Sequence, residues 1–163
     1  MGAVLGPDDI KKYLEERKLK AELLPVAEGH TSDKAAGSLD IRLEEVAKTI
    51  VFVDEKGEPV LAIVRGAVRV KQNEFSRRIR STKLRLATRE EVLKHTGFPA
   101  GGVSPVANIC RGRVFMDELL LNMEFIYAGG GSDAYILKIR PSDVLRESEA
   151  VLMDVPTQPV TEA

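Results

Sequence analysis

Residues 96–105 read Thr96-Gly97-Phe98-Pro99-Ala100-Gly101-Gly102-Val103-Ser104-Pro105, three glycines and two prolines in ten positions. Glycine lets a ligand approach bare backbone, and proline fixes φ and stiffens the turns between. A rigid loop with unobstructed N–H groups suits a carbonyl or phosphate oxygen. A second run, Gly129-Gly130-Gly131, follows the apolar stretch 123–128, and Lys48 opens the most strand-like segment of the chain. Either glycine run alone is equally well an ordinary sharp connection. Side-chain nucleophiles and bases are few. His95 sits just before the loop, where a histidine commonly complements a helix C-terminus, and His30 lies in a polar turn. Ser104 lacks a nucleophile-elbow pattern, and the single Cys110 reads as a small buried apolar residue. The His/Cys set has no metal-ligand spacing, so neither a metal nor a cofactor is expected.

Local pattern predicts the elements that must carry these residues. Pro7-Asp8-Asp9 ahead of Ile10, Tyr13 and Leu14 predicts a capped amphipathic helix over 7–18. Residues 22–26 form a short strand, Thr31 caps a helix over 31–39, and 43–47 make a helical turn. The apolar, β-branched runs 49–54 and 60–65 form a hairpin around Gly57. Val68-Arg69-Val70 extends the second strand past Gly66. A basic helix covers 72–79 and a short strand 84–87. Thr88-Arg89-Glu90-Glu91 is a capping box opening a helix to His95. Beyond the loop, 113–116, 123–127 and 134–139 are strand-like, 141–146 is a short helix at a proline start, and 150–155 is a final strand. The expected fold is a single α+β domain over 1–163. Its sheet is mixed and largely antiparallel, or a partial barrel, surrounded by helices, with hairpins in place of even βαβ alternation.

An apolar content of 44% in 163 residues is enough for one core, and a net charge of −1 argues against disorder. One cysteine excludes an internal disulfide and suits a reducing compartment. No apolar run approaches the ~20 residues of a membrane span and no signal pattern opens the chain, so a cytoplasmic protein without a membrane partner is expected. Charge is unevenly spread. Arg65, Arg69, Lys71, Arg77, Arg78, Arg80, Lys83, Arg85 and Arg89 follow one another with only Glu74 between. This stretch is either a solvated face or a footprint for polyphosphate.

The segment Lys48-Thr49-Ile50-Val51-Phe52-Val53, with the G-x-x-x-P loop from Gly101 to Pro105, resembles the YbaK/prolyl-tRNA synthetase-associated domain family. Its members are deacylases that remove wrongly attached amino acids from tRNA. Thr96-Gly97, the Gly129-Gly130-Gly131 turn, Thr31-Ser32-Asp33-Lys34-Ala35-Ala36 and Pro141-Ser142-Asp143-Val144-Leu145 match further landmarks in family order, strongest over 20–155. The resemblance implies a backbone-centred, substrate-assisted site in which the vicinal ribose hydroxyl or a held water attacks the ester. Gly101, Gly102 and Val103, with Ser104, would shape the oxyanion region, and Pro105 would fix the loop. Lys48 would meet the terminal phosphate or ribose, and the basic residues Arg65, Arg69, Lys71, Arg77, Arg78 and Arg80 the tRNA backbone. Thr31, Thr49, Gly129, Gly130 and Gly131 would line the amino-acid pocket. Some members carry an acid in the strand after the late glycines, where this chain has Tyr135-Ile136-Leu137; Asp133 is the nearby acid, and Asp117 resembles another acidic position. The first reading is therefore a trans-editing deacylase acting on mischarged tRNA, Cys- or Ala-tRNA(Pro), alone or beside a synthetase. A tRNA- or synthetase-binding module without turnover accounts for the basic stretch equally well. An esterase built on Ser104 or Cys110 would be indifferent to loss of those cations.

Overall fold

In this computed structural model residues 4–26 and 40–160 are described, so the helix expected over 31–39 lies outside the described residues. Pro7 and the acids behind it start helix α1 (Pro7–Glu16), with the Gly6 N–H donating to Asp9 Oδ2 at 2.8 Å. It stops at Glu16, before residue 18, because Lys18 turns to a left-handed backbone of φ 54°. Strand β1 (Glu22–Pro25) follows, then a 3-10 turn, Leu43–Glu45, where a helical turn is expected. Strands β2 (Ala47–Val53) and β3 (Pro59–Arg65) form the predicted hairpin, paired antiparallel from Ala47–Arg65 to Val53–Pro59. The chain continues through β4 (Val68–Val70), α2 (Gln72–Arg78), β5 (Arg85–Leu86) and α3 (Arg89–Thr96). Then come β6 (Arg113–Asp117), a 3-10 helix (Glu118–Asn122), β7 (Ile126–Gly129), β8 (Tyr135–Ile139), α4 (Pro141–Ser148), β9 (Val151–Met153) and β10 (Thr157–Pro159).

These strands make an α+β fold of open, mixed sheets. The large sheet runs β5-β2-β3-β6-β9, a smaller one runs β1-β8-β7, and β4 pairs with β10. A parallel bridge from Val46 to Tyr127 links the two larger sheets without closing a barrel. Two readings of single elements are corrected, those of Val68–Val70 and of the strand expected from 123. Val68–Val70 leaves β3 at the Gly66 turn, where Gly66 N donates to Val46 O at 2.7 Å, and pairs with β10 instead of prolonging the hairpin. β6 lies parallel to both β3 and β9, so long crossovers as well as hairpins build the sheet. The strand expected from 123 begins only at Ile126, because Glu118–Asn122 winds into a 3-10 helix and its Leu120 carbonyl accepts from Met123 N at 3.2 Å.

One face of the large sheet, with Val51, Leu61, Ile63 and Met116, closes against Ile126, Ala128, Leu137 and Ile139 of the smaller one. Ile10 and Leu14 of α1, Val92 of α3, Val144 of α4, and Phe98, Val103 and Val106 of the glycine–proline segment complete this core. The other face carries Phe52, Val60, Ala62, Val64 and Phe115 under Val68, Val70 and Phe75. Phe75 meets Phe115 edge-on at 5.6 Å between centroids. A loop that contributes three side chains to the main core is held by the hydrophobic effect as firmly as a helix is.

Candidate functional site

Helix α3 delivers the loop. Its capping box is the predicted one: Thr88 Oγ1 accepts from Glu91 N at 3.2 Å, and Glu91 Oε1 accepts from Thr88 N at 2.9 Å. At the other end Gly97 N donates to Leu93 O at 2.8 Å. Buried Thr96 stitches helix to loop, its Oγ1 donating to Val92 O at 2.7 Å and accepting from Phe98 N at 3.1 Å. Phe98 is fully buried and anchors the first half of the loop in the core. A turn closes from Gly102 N to Pro99 O at 2.9 Å. Ser104 is fully buried; its Oγ accepts from Val106 N at 3.2 Å and its carbonyl from Asn108 Nδ2 at 2.9 Å. Its hydroxyl therefore shapes the loop from inside. Among the described residues the N–H groups of Gly101 and Val103 meet no acceptor. Those are the groups an oxyanion would need.

The two glycine runs, far apart in sequence, meet. Gly131 N donates to Gly102 O at 2.9 Å, and a methyl at Gly102 would stand 2.8 Å from Ser132 N. A methyl at Gly129 would overlap the Val103 carbonyl oxygen. Only hydrogen at both positions lets the two backbones touch. The next glycine, Gly130, lies against the Tyr135 carbonyl for the same reason. On its far side Gly131 rests on Gly6 and Pro7, the start of α1, a neighbour that no local sequence signal announces.

An isolated parallel bridge joins Val46, two residues before Lys48, to Tyr127, two residues before Gly129. Since side chains alternate with period two, Lys48 lies on the face of β2 that Val46 marks, and Gly129 on the face of β7 that Tyr127 marks. Gly129 pairs with Ile136 and so faces the side carrying Val26, Tyr127 and Ile136. Lys48 is half-buried; desolvation pushes its ammonium pKa down, and the nearby Arg69 charge adds to this. Thr49 points to the opposite face, and its Oγ1 is buried without a partner.

The basic candidates divide. Arg65 is drawn inward, its Nε 4.0 Å from Oδ2 of fully buried Asp117. Asp117 Oδ1 accepts from Leu119 N at 3.4 Å, and burial pushes its carboxyl pKa up. Arg78 pairs with Glu74 at 3.0 Å and donates to Asp154 O at 2.7 Å. Arg80 lies at the far end of the β2–β3 hairpin, in a cleft with Asp54, Glu55 and Arg113. Arg69, Lys71 and Arg77 are exposed and have no ion pair among the described residues. Asp133 sits in the turn between β7 and β8, His95 in the last turn of α3, and Thr31 and His30 outside the described residues. Half-buried Cys110, its thiol pKa raised by desolvation, lies behind Pro105 on a cavity of about 280 Å³. No group of three His, Cys, Asp or Glu among the described residues could hold a metal ion.

Residues 26–147 match the family of the aminoacyl-tRNA editing domain. The chain belongs to that family. Similar proteins are of two sizes. A proline–tRNA ligase of Solidesulfovibrio magneticus is 32% identical over 133 residues, 80% of this chain but 22% of the ligase. The ligase of Nitratidesulfovibrio vulgaris is 31% identical over 117 residues, 71% of this chain and 20% of its own length. This editing domain thus spans about a fifth of the ligases it matches. An uncharacterized protein of Bacillus subtilis is 26% identical over 70% of this chain and 72% of its own. The crystal structure of a candidate trans-editing enzyme for prolyl tRNA synthetase superposes with a TM-score of 0.81 at 32% identity, covering 92% of this chain and 96% of that one. Both glycine runs, Lys48 and the Thr96-Gly97 pair lie inside the matched segment of the editing domain. No described helix is long and apolar enough to cross a membrane.

Proposed function

We propose that this editing domain is a hydrolase that cleaves the ester of mischarged aminoacyl-tRNA in trans, with Cys- or Ala-tRNA(Pro) as substrate. The reading rests on one observation above all: the loop whose Gly101 and Val103 N–H groups meet no acceptor among the described residues abuts the Gly129-Gly130-Gly131 turn. An ester carbonyl seated on those amides would have its developing oxyanion held by groups that need no rearrangement. The vicinal ribose hydroxyl, or a water it holds, would attack from the same nucleotide, so that proximity replaces a side-chain nucleophile. Ser104, turned inward on Val106, is then a builder of the loop. Thr49 and Asp133 stand on the strand and turn that border this region, and Thr31 belongs to the pocket by family pattern. The proline–tRNA ligases among the relatives make a prolyl-tRNA synthetase the partner to test, and translation the setting, in the cytoplasm.

Deacylation of tRNA(Pro) carrying cysteine, alanine or proline, by wild type and by Lys48→Ala, tests this. Hydrolysis of a mischarged species but not of Pro-tRNA, lost in the variant, is the expected result. Binding without turnover on all three would leave the non-catalytic tRNA-binding module.

A further inference from the structure

Strand β1 is an open edge of the smaller sheet, paired with β8 on one side only among the described residues. Val26 N donates to Ala134 O at 2.9 Å, and in this register Val26, Leu24 and Glu22 are the residues bonded to β8. The N–H and C=O of Leu23 therefore turn out of the sheet, as does the C=O of Pro25. Beside this edge runs a cavity of about 860 Å³ between β1 and α1, with Leu14 and Leu23 in its wall. Asp8, Lys11, Glu15 and Lys18 line it too, spaced three and four residues apart on one face of α1 and the turn that ends it. All four are exposed, and none has an ion pair among the described residues. On the neighbouring face Lys12 and Glu16 pair with each other at 3.9 Å. The stripe runs acid, base, acid, base. Reversed, it runs base, acid, base, acid, so it is complementary to an antiparallel copy of itself.

We propose that β1 pairs antiparallel with β1 of a second copy of this chain, about a two-fold axis at Leu23. Each Leu23 N–H then donates to the Leu23 C=O of the partner subunit, and each Pro25 C=O accepts from the Ala21 N–H opposite. The missing proline N–H leaves only the Ala21 carbonyl unmatched and admits few other strand registers. Each α1 packs on the inner face of its own sheet through Ile10 and Leu14, so an axis normal to the joined sheet sets both helices on one side, antiparallel. Asp8 then faces Lys18 of the partner subunit, and Lys11 faces Glu15 of the partner subunit. Each contact occurs twice, as in any closed two-fold interface. Leu14 and Leu23 of both copies lose water together. The contact also braces α1, whose start rests on Gly131 behind the glycine turn.

Sedimentation equilibrium of the full chain over a concentration series, with exchange of the Leu23 amide followed by NMR in the same samples, tests this. A monomer–dimer equilibrium is expected, in which the Leu23 amide becomes protected as the dimer forms. Lys11→Glu sets like charges opposite each other in two symmetric places and is expected to raise the dimer Kd about tenfold. Adding Glu15→Lys reverses both members of the pair and should restore the wild-type Kd. Lys12→Glu makes the same change of charge on the neighbouring face and should leave Kd unaltered. A chain that stays monomeric at millimolar concentration overturns the proposal. So does a dimer indifferent to Lys11→Glu, which places the contact elsewhere. Protection of Leu23 in a monomer only after prolyl-tRNA synthetase is added would assign the edge to that protein and overturn self-pairing.

Discussion

A methyl group at position 129 would overlap the Val103 carbonyl oxygen, so the site's geometry depends on a missing side chain. Gly129→Ala is expected to push the loop off β7 at an overpacking cost of about 1–3 kcal/mol. For a chain of this length each kcal/mol lowers Tm by about 2–4 °C. On the deacylase reading the larger effect belongs to turnover, because misplacing a catalytic group by an ångström can cost on the order of 10²-fold. Deacylation kinetics beside thermal unfolding would check this; a lowered Tm with unchanged kcat/KM would separate the loop from the reaction. Asp117 makes a prediction of the opposite chemical kind. Burial raises its carboxyl pKa, so the folded state prefers the protonated form. Its contribution to stability is therefore fully present below the ordinary carboxyl range near pH 4 and is lost as pH rises through the native pKa. Asp117→Asn keeps the shape without the charge. Across Tm profiles from pH 4 to 8 the variant should gain on wild type as pH rises. A constant gap would show that the carboxylate is neutralised in place by Arg65.

At the scale of elements, Thr88 links stability to the loop, since α3 runs straight into Thr96, Gly97 and Phe98. Thr88→Ala removes the Oγ1 acceptor of Glu91 N and should cost about 1 kcal/mol. Thermal unfolding would report it as a shift of a few degrees, with m unchanged in urea. The capping box was legible because its chemistry lies within four consecutive residues. The β2–β3 hairpin was legible for the same local reason, through two β-branched runs and a glycine-containing turn. What was not legible is pairing between distant segments. Val68-Arg69-Val70 alternates as any edge strand does, and nothing within it chooses β10 over β3. The parallel placement of β6 between β3 and β9 is likewise fixed by the packing of Phe115 and Met116 into two different cores. The site divides the same way. Both glycine runs stood out by composition and Lys48 through the family resemblance, but the touch of Val103 on Gly129 is a tertiary fact. The basic stretch read as one face because charge counts carry no direction; the fold sends Arg65 inward and Arg80 to the opposite end.

Across the whole molecule, the start of α1 rests on Gly131, so the site's far wall is only as firm as the seat of α1. That seat is made by Glu147 of α4. Its carboxylate accepts from Tyr13 Oη at 2.7 Å, from Arg17 Nε at 2.8 Å and from Arg146 Nε at 3.2 Å. The bonds from Tyr13 and Arg17 hold its pKa at about 2, while burial and the same carboxylate push Tyr13 up to about 12. A lowered carboxyl pKa stabilises the fold fully above the ordinary value of about 4.5, and that stability is lost as pH falls toward 2. Glu147→Gln keeps the side-chain length but not the charge-assisted bonds, at a cost of about 1–3 kcal/mol. At pH 7 the variant should therefore melt several degrees below wild type. Between pH 4.5 and 2.5 the two curves should converge, because protonated wild type has lost the same ionic contribution. Thermal unfolding over that range decides it. Parallel curves would mean that apolar packing of Ile10 and Leu14 seats α1 without the carboxylate, and the wall behind Gly131 would then be insensitive to acid.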